Sequence, residues 1–550
     1  MSTPATEEIT ITTTRLIAPG PQLGYSRLYL DFVAGRAREL FPASTIDDLV
    51  DRVAGPGRDR RAVLEILRRQ NRDFGASAAT LENVERLADP RSVCVFAGQQ
   101  AGLFGGPLFT IIKALAVART ARLYSERLRR PVIPIFWIAG DDHDFEEANH
   151  TYLVDRRGEL RRLAYRTAPP SGTTAAGTVL ADAAELERVK AEFRECLGES
   201  EFTPALYDLV ERAYTPGATL VTAFGRLMAQ LTGDLGLVLF NPGDAELKRT
   251  AAPFFRAAVE KQSSIRDSLA SANQRLQDAG YHLQVEKKEN AAHLFYHRDG
   301  RTPIMRERQR FVAGERSFTE PEMLREIDSH PDLFSPDALL RPLFQAYLFP
   351  VAVQMAGPSE LAYMAQMNPL FALFELTAPL HRARPSLTLI EPRLGQQMDQ
   401  MGIRFEDLTG DVEQVVNRVM TASFPSHLES NFQTLREALA RQFEEFRARV
   451  LGFDPGLKES AEQTRGKIDF AVKGFESKVF AAHKKKSQQT RDRIYRLYNT
   501  LFPNRGLQER SLNVSYFLAR YGIGSVKYLY ERMEPEQTAH QLITMSDYEA

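Results

Sequence analysis

The sequence predicts an α/β core built on a parallel sheet, followed by an α-helical domain that contains an antiparallel coiled-coil hairpin. Two observations support this fold class. Between about residues 90 and 154, a strand, a glycine-rich loop, a helix and a second strand follow one another, which is the pattern of a βαβ unit. Beyond about residue 396 the pattern is helical only, with apolar residues three or four positions apart.

The composition is that of a folded protein with more than one domain. Of 550 residues, 43% are hydrophobic and 26% are charged. The 70 Lys and Arg residues balance the 71 Asp and Glu residues, so no overall charge attracts nucleic acid or an anionic membrane. Neither a signal peptide nor a membrane-spanning apolar run is apparent, and Cys94 and Cys196 are too few for a disulfide framework. We therefore expect a cytoplasmic protein that binds neither nucleic acid nor membrane.

The core is expected to span residues 1–395 and to be assembled from strands that lie far apart in the chain. RSVCVFAG (91–98) and PVIPIFWIAG (131–140) are apolar runs typical of buried strands, and a stretch with helical spacing of apolar residues separates them. The predicted strands lie near 91–97, 131–138, 235–240, 347–355 and 386–390.

Two insertions are expected between these strands. The first, at about 155–230, is rich in Ala and Glu and predicted to be helical. The second, at about 245–345, alternates polar and apolar residues around Asp299-Gly300, which is a hairpin-turn signal.

A helical coiled-coil domain is predicted over residues 396–510. GFDPG (452–456) divides two apolar stripes into an antiparallel hairpin. A helix over 457–502 would be about 69 Å long, too long to be covered by its own domain. The final segment, 511–550, is expected to pack on the core.

The first candidate site is the loop GQQAGLFGG (98–106), between a strand and a helix. In open parallel sheets, ligands bind outside the carboxyl ends of the strands, and a helix start favours phosphate or carboxylate. The spacing matches neither a Walker loop nor a dinucleotide motif, and glycines that only shape a turn are the alternative. The candidate binding residues are Gln99, Gln100, Gly102, Gly105, Gly106, Thr110 and Lys113.

The second candidate site is the acidic run after the next strand, GDDHDFEEANH (140–150). Neighbouring carboxylates repel one another unless a cation, a basic group or a substrate amine relieves the repulsion. His143 could shuttle a proton, bind a phosphate or share a metal with an aspartate. The alternative is an acidic turn that caps the following helix. The candidate catalytic residues are Asp142, His143 and Asp144.

A third loop, AGPSELAYMAQ (356–366), follows another predicted strand, and it adds Gly357, Ser359 and Glu360 as candidate binding residues. Helix capping explains the same pattern. If the functional interpretation holds, all three loops line one crevice at the carboxyl edge of the sheet.

The second coiled-coil helix is basic, with 13 Lys or Arg against 6 Asp or Glu between residues 458 and 510. The ordinary interpretation is a helix face exposed to solvent. The functional interpretation is a binding site for a nucleotide phosphate. The residues of this second candidate nucleotide site are Lys484, Lys485, Lys486, Tyr498, Asn504 and Arg505.

Three stretches, 98–114, 131–150 and 347–366, together resemble the cysteine ligase family of bacillithiol biosynthesis, the BshC family. The resemblance runs the length of the chain and includes LFPNRGLQER (501–510). It implies a Rossmann-type core with connecting-peptide insertions, as in class I aminoacyl-tRNA synthetases, and a coiled coil that forms a homodimer. It also implies adenine-nucleotide binding near the coiled coil.

The reaction implied by the resemblance joins L-cysteine to glucosaminyl-malate, giving bacillithiol in the last step of its synthesis. By analogy with the mycothiol ligase, ATP would activate the cysteine carboxylate, with AMP or ADP as product. The His-x-Gly-His and Lys-Met-Ser-Lys-Ser strings of class I synthetases are absent, two isolated cysteines cannot form a thiolate zinc site, and a metal requirement stays open. The alternatives are a nucleotide-binding coiled-coil interaction protein without ligase chemistry and a nucleotidyltransferase with another substrate.

Overall fold

The computed structural model describes residues 14–42, 45–54, 60–141, 145–167, 179–423, 428–545 and 548. It divides into two compact units. The core unit comprises Met1–Pro392 and Pro503–Ala550, and the helical unit comprises Arg393–Phe502. The sequence predicts domain boundaries after residues 395 and 510. In the structure, the segment 503–510 lies in the core unit instead of the helical unit.

Strands are confined to the core unit within the described residues. In chain order they are β1 (Arg15–Ile17), β2 (Val93–Gln99), β3 (Val132–Ile138), β4 (His150–Val154), β5 (Leu160–Ala164), β6 (Val238–Phe240), β7 (Ala291–Tyr296), β8 (Thr302–Glu307), β9 (Arg310–Ala313), β10 (Arg316–Thr319), β11 (Phe334–Pro336), β12 (Val351–Ala356), β13 (Leu380–Ala383), β14 (Ser386–Ile390) and β15 (His540–Thr544).

Helices make up most of the remainder. In chain order they are α1 (Arg27–Val33), α2 (Ile46–Ala54), α3 (Arg61–Asp73), α4 (Ala78–Arg86), α5 (Leu108–Leu128), α6 (Phe145–Ala148), α7 (Ala183–Leu197), α8 (Thr203–Ala213), α9 (Leu220–Thr232), α10 (Ala245–Thr250), α11 (Ala252–Glu260), α12 (Gln262–Asp278), α13 (Glu320–Ser329), α14 (Arg341–Leu348), α15 (Pro358–Met367), α16 (Leu370–Leu373), α17 (Pro392–Met401), α18 (Val412–Ser423), α19 (Leu428–Phe453), α20 (Lys458–Leu501), α21 (Gln508–Ser511), α22 (Ser515–Tyr521) and α23 (Ser525–Arg532).

The central sheet has the order β13-β12-β2-β3-β6, and all of its strands are parallel. Its middle strands pair in register from Val93 opposite Val132 to Gln99 opposite Ile138. Every residue of β3 is buried, as expected for a parallel strand whose two faces are covered by helices. The carboxyl ends of β2, β3 and β12 therefore lie along one edge of the sheet.

The predicted strand at 386–390 exists as β14, but its expected place in the central sheet is wrong. β14 pairs with β15 in a separate sheet of order β1-β15-β14. The edge of the central sheet is formed instead by β13, and the Arg384 N–H extends that pairing to the Ala356 carbonyl at 2.8 Å. Pro385 follows at once, and because proline lacks an N–H it cannot continue the ladder.

The two insertions differ in how well the sequence predicts them. The second forms an antiparallel sheet, β10-β9-β8-β7-β11, and Asp299-Gly300 lies at the β7–β8 turn as expected, with Gly300 at φ 98°. The first holds α7, α8 and α9, but it also includes β5, which pairs with β4 in an antiparallel hairpin that the helical prediction missed.

The helical unit contains the predicted antiparallel hairpin, formed by α19 and α20. Arg436 lies 2.6 Å from Glu476, and Arg447 lies 3.7 Å from Glu462, so the partners run in opposite directions along the two helices. The reversal falls at the predicted break, where Asp454 Oδ1 accepts the Gly456 N–H at 2.8 Å. At 44 residues, α20 is about 66 Å long. No helix in the described ranges is long and apolar enough to cross a membrane.

Candidate functional site

A cavity of about 400 Å³ lies at the carboxyl edge of the central sheet. The ends of β2, β3 and β12 contribute to it, together with the first turns of α5, α14 and α15. Its walls contain Gly98, Gln99, Gln100, Phe109, Lys113, Trp137, Ala139, Glu147, Arg341, Gln345, Gln354, Gly357, Pro358, Ser359, Glu360, Tyr363, Met364, Arg384 and Arg510. We call it the carboxyl-edge cavity.

A larger cavity of about 1000 Å³ lies at the opposite edge of the sheet, where β3 begins at Val132. None of the predicted site residues that the structure describes lines it. The carboxyl edge is where ligands bind in open parallel sheets, so the smaller cavity is the candidate site.

Six of the predicted binding residues line the carboxyl-edge cavity. They are Gln99, Gln100, Lys113, Gly357, Ser359 and Glu360. The first and third predicted loops therefore do meet at one crevice. Asp142, His143 and Asp144 lie outside the described residues, so their catalytic roles stay predictions. Their flanking residues Ala139 and Glu147 both line the cavity.

An ion pair between Lys113 and Glu360 joins two walls of the cavity. The Lys113 Nζ lies 2.6 Å from Glu360 Oε2, and it donates to the Gly98 carbonyl and to Gln99 Oε1, both at 3.0 Å. Glu360 Oε2 also accepts the Gly357 N–H at 2.7 Å. Glu360 thus caps α15, as the alternative interpretation expected, and it also pairs with Lys113 of α5.

Burial sets the charge state of this pair. Burial lowers the pKa of Lys113, and Glu360 offsets only part of that effect. Burial alone would raise the pKa of Glu360, but Lys113, the Gly357 N–H and Arg341 outweigh it and hold the pKa below its ordinary value. The carboxylate is therefore ionised at neutral pH, and its charge raises the pKa of Lys113 against the effect of burial.

Arg341 is a cavity cation that the sequence analysis missed. It is the first residue of α14, and its Nη2 donates to the Tyr363 hydroxyl at 3.0 Å. Burial lowers the pKa of Arg341, but Tyr363, Glu360 and Asp141 outweigh burial and raise it. The guanidinium stays charged beside the end of β3. The available signal was a lone arginine within an apolar stretch, LLRPLF (339–344).

Arg384 is a second missed cation, and it immediately follows β13. Its side chain is 5% exposed, and its Nη2 lies 2.8 Å from Glu509 Oε1. Its guanidinium also lies over the ring of Phe109, 5.3 Å from the centroid. Arg510, next to Glu509, lines the cavity as well. The residues after 503 therefore contribute to the candidate site.

Three predicted glycines shape the loop and do not line the cavity. Gly105 and Gly106 adopt left-handed φ values of 92° and 70°, and a Cβ on Gly102 would lie 2.6 Å from the Gly106 Cα. Asn513 Nδ2 donates to the Phe104 and Gly106 carbonyls at 3.0 and 2.8 Å. These glycines let the loop fold tightly against the C-terminal segment. Their role is therefore the alternative one, in which glycines only shape a turn.

Thr110 does not line the cavity either. It is fully buried on α5, and its Oγ1 has no hydrogen-bond partner among the described residues. Trp137, by contrast, is a cavity-wall residue whose indole N–H is buried without an acceptor in the same ranges. Buried donors are normally paired, so this N–H is suited to an acceptor atom of a ligand.

The second candidate nucleotide site is not gathered at one place within the helical unit. Lys485 is exposed on α20, and the side chains of Lys484 and Lys486 lie outside the described ones. Tyr498 is 13 residues beyond Lys485 on the same helix, which corresponds to about 20 Å along the axis. In the core unit, Asn504 and Arg505 adopt left-handed φ values of 54° and 59°. This site remains a prediction.

The acidic run also has neighbours in the cavity wall. Gln100 Nε2 donates to Glu147 Oε2 at 2.9 Å, linking the first loop to α6. His150 Nδ1 lies 2.7 Å from the Glu146 carbonyl, so this histidine is engaged by the main chain. Within the residues that the structure describes, no group of three His, Cys, Asp or Glu side chains is arranged to hold a metal ion.

Comparison with known proteins places this chain in a family. Residues 41–385 match the model described as "Bacillithiol biosynthesis BshC, N-terminal Rossmann-like domain", and residues 387–545 match that of its C-terminal coiled-coil domain. Three similar curated proteins carry the name "Putative cysteine ligase BshC". The protein of Koribacter versatilis is 33% identical over 514 residues, 91% of this chain and 94% of the relative. That of Salinibacter ruber is 32% identical over 489 residues (88% and 89%), and that of Geobacillus kaustophilus is 31% identical over 498 (88% and 91%).

Proposed function

The chain belongs to the BshC family of bacillithiol biosynthesis, and we propose that it ligates L-cysteine to glucosaminyl-malate to give bacillithiol. The observation that carries this proposal is the mixture of charges in the carboxyl-edge cavity. The cavity wall contains the basic residues Lys113, Arg341, Arg384 and Arg510 and the acidic residues Glu147 and Glu360. Glucosaminyl-malate brings carboxylates and an amine, so a small polar cavity with fixed groups of both signs suits it.

The two arginines are the groups best suited to the malate carboxylates. A guanidinium presents several N–H donors in one plane and binds carboxylates at two points. Arg341 and Arg384 both line the cavity, and each is held by a neighbouring side chain. Lys113 is already paired with Glu360 at 2.6 Å, so its charge is less available to substrate.

The amine of the glucosamine must lose a proton before its nitrogen can attack an acyl carbon. His143 is the proposed acceptor of that proton, since an imidazole has an ordinary pKa near 6.5 and both takes up and releases protons near neutral pH. Asp142 and Asp144 would hold the amine as a cation before the transfer. Glu147, three residues beyond Asp144 in the sequence, lies in the cavity wall and supports these proposed roles.

ATP is the proposed co-substrate. When bound, it would supply activation of the cysteine carboxylate as an adenylate, with pyrophosphate released in that step and AMP released when the amine attacks. Two features support the binding of an anionic group in the cavity: the basic side chains of its wall, and the Trp137 indole N–H, which is buried without a hydrogen-bond partner among the described residues. The residues proposed to hold it are the main-chain and side-chain donors at Gln99, Gln100 and Ser359.

The protein is further proposed to act as a homodimer through the hairpin of α19 and α20. Phe470 and Phe453 are 79% and 89% exposed, and Phe446 and Phe475 are 62% and 61% exposed. Four phenylalanines with this exposure on one hairpin favour an interface, and two-fold self-association is the commonest form of one.

Reconstitution with glucosaminyl-malate, cysteine and ATP tests the proposal, with bacillithiol, AMP and ADP measured separately by mass spectrometry. We expect bacillithiol and AMP in equal amounts. Arg384→Gln should reduce the rate strongly, because it removes a cavity cation. Arg382→Gln is the matched control, since Arg382 is 44% exposed and outside the cavity. ATP consumption that does not depend on cysteine would favour a nucleotidyltransferase instead.

A further inference from the structure

The cavity cation Arg384 is anchored from behind by the C-terminal segment. Its Nη2 pairs with Glu509 Oε1 at 2.8 Å, and its Nη1 donates to the Pro385 carbonyl at 2.9 Å. These two bonds use two of the five N–H groups that a guanidinium carries. The same side chain lines the carboxyl-edge cavity, so one of its faces meets Glu509 and another meets the candidate substrate site.

Glu509 is itself fixed in place. Its side chain is 1% exposed and extends from α21. Its Oε2 accepts the Leu387 N–H at 2.9 Å, and its Oε1 accepts the Ser386 hydroxyl at 3.1 Å. The Ser386 hydroxyl in turn lies 2.8 Å from His540 Nδ1 on β15. The carboxylate therefore has one position, defined by two strands of the second sheet.

The charge of Glu509 is maintained by its partner. Burial alone would raise the pKa of this carboxyl, but Arg384 outweighs burial and lowers the pKa below its ordinary value. A buried ion pair is weak evidence for a stabilising role, because desolvation of both charges offsets most of their attraction. Such a pair at the wall of a cavity has another use, which is to hold a guanidinium in one orientation.

We propose that Glu509 is a positioning residue that orients Arg384 toward a carboxylate of glucosaminyl-malate. The proposal rests on the proposed function for the identity of the ligand. It makes the C-terminal segment part of the substrate site: the chain from Gln508 to Asn513 anchors a binding arginine through Glu509 and contacts the glycine-rich loop through Asn513.

The proposal predicts a specific pattern of kinetic effects. A misplaced binding group weakens the contact that it makes, so Glu509→Gln should raise KM for glucosaminyl-malate about tenfold. KM for cysteine and for ATP should stay unchanged. Glu536→Gln is the matched control, because this carboxylate of the same C-terminal segment contacts the exposed Arg382 at 3.8 Å and lies outside the cavity.

A double-mutant cycle on the full-length protein provides the decisive test. Binding of glucosaminyl-malate and of L-malate is measured by titration calorimetry, and stability by urea unfolding. We expect Glu509→Gln to weaken binding in the wild-type background and to add nothing to Arg384→Gln. The double variant should regain stability relative to Glu509→Gln, since it buries no unpaired charge, while binding as weakly as Arg384→Gln.

Each other outcome counts against the proposal. It is overturned if Glu509→Gln lowers stability but leaves the Kd of the folded protein unchanged, or if it weakens binding equally when Arg384 is already substituted. If Glu509→Gln does not fold, Glu509→Asp in the two backgrounds gives the same comparison. A wild type that binds neither probe overturns the proposal, whereas one that binds but does not ligate cysteine contradicts only the ligase function.

Discussion

Two ion pairs with the same separation show how differently the core unit and the helical unit use charge. Lys113 and Glu360 lie 2.6 Å apart in the core, as do Arg436 and Glu476 in the hairpin. The lysine side chain is 4% exposed and the hairpin arginine is 33% exposed. Coulomb attraction is much stronger away from water, and so is the cost of leaving one partner alone. Burial, and not distance, therefore decides how much stability is lost when one partner of each pair is removed.

The apolar residues show the opposite contrast. The largest fully buried side chains are aromatic residues of the core unit, such as Trp137, whereas the hairpin leaves Phe470 79% exposed and Phe453 89% exposed. In the core, apolar surface supports a polar cavity with fixed charges. In the hairpin, the ion pair is partly exposed to solvent, and several large apolar side chains are exposed as well.

The largest expected effect comes from breaking the buried pair. Glu360→Gln leaves the Lys113 ammonium buried without its counter-charge, so we expect a loss of about 3 kcal/mol in the free energy of unfolding. Ligase activity should be lost as well. Urea unfolding followed by Trp137 fluorescence measures the change. The control is Lys113→Met combined with Glu360→Gln, which should recover most of the stability and none of the activity. A loss below about 1 kcal/mol for the single variant would contradict the contrast with the hairpin.

Acid should unfold the core before the hairpin. Glu360 and Glu509 have pKa values below the ordinary one despite burial, because Lys113 and Arg384 stabilise their charged forms. Their contribution to stability is complete above about pH 4.3 and is lost as the pH falls through the lowered values. Trp137 is the single tryptophan and lies in the cavity wall, so its fluorescence reports on the core alone. Helices of both units contribute to the circular dichroism, so we expect part of the helical signal to be lost together with the Trp137 transition and the remainder, from the hairpin, to be lost at a lower pH. A single coincident transition would remove the distinction.

Polar substitutions at exposed apolar residues of the hairpin should dissociate the proposed dimer without changing the stability of the core unit. Phe446→Glu with Phe470→Glu places charge where both side chains are exposed, so we expect the dimer to dissociate while the Trp137 unfolding transition moves little. Light scattering should give twice the 62.0 kDa chain mass for the wild type and the single mass for the variant. Lys473→Glu, on the same helix as Phe470, is the control. A wild type that is monomeric at 62.0 kDa would refute the assembly.

The smallest effect is expected at the exposed pair. Arg436→Gln should lower the free energy of unfolding by less than about 1 kcal/mol, although the pair is as short as the one in the core. Added salt should change the wild type and the variant alike. A loss near that of Glu360→Gln would show that the hairpin pair is shielded from water, by a partner copy for example.

The sequence predicted the parts of the fold that depend on local pattern. The strands β2 and β3 and the helix α5 between them follow from apolar periodicity, and the parallel connection brings the loops after β2 and β12 to one edge. The turn at Asp299-Gly300 follows from its dipeptide. Each of these signals lies within a few residues of the feature that it predicts.

The parts that could not be predicted depend on contacts between distant segments. Asn513 contacts the Gly106 carbonyl across 407 residues of sequence, and no local pattern distinguishes glycines that fold against such a side chain from glycines that bind a ligand. Arg384 and Glu509 are single charges in unrelated stretches, and only the tertiary structure pairs them. The placement of β14 failed for the same reason, since its partner β15 is near the end of the chain.

The position of bound glucosaminyl-malate tests the central claim most directly. A crystal structure of the protein with this substrate should place the malate carboxylates within hydrogen-bond distance of Arg341 and Arg384 in the carboxyl-edge cavity, and the amine on the side of Glu147. Substrate bound instead in the larger cavity near Val132, or on the hairpin, would contradict the account.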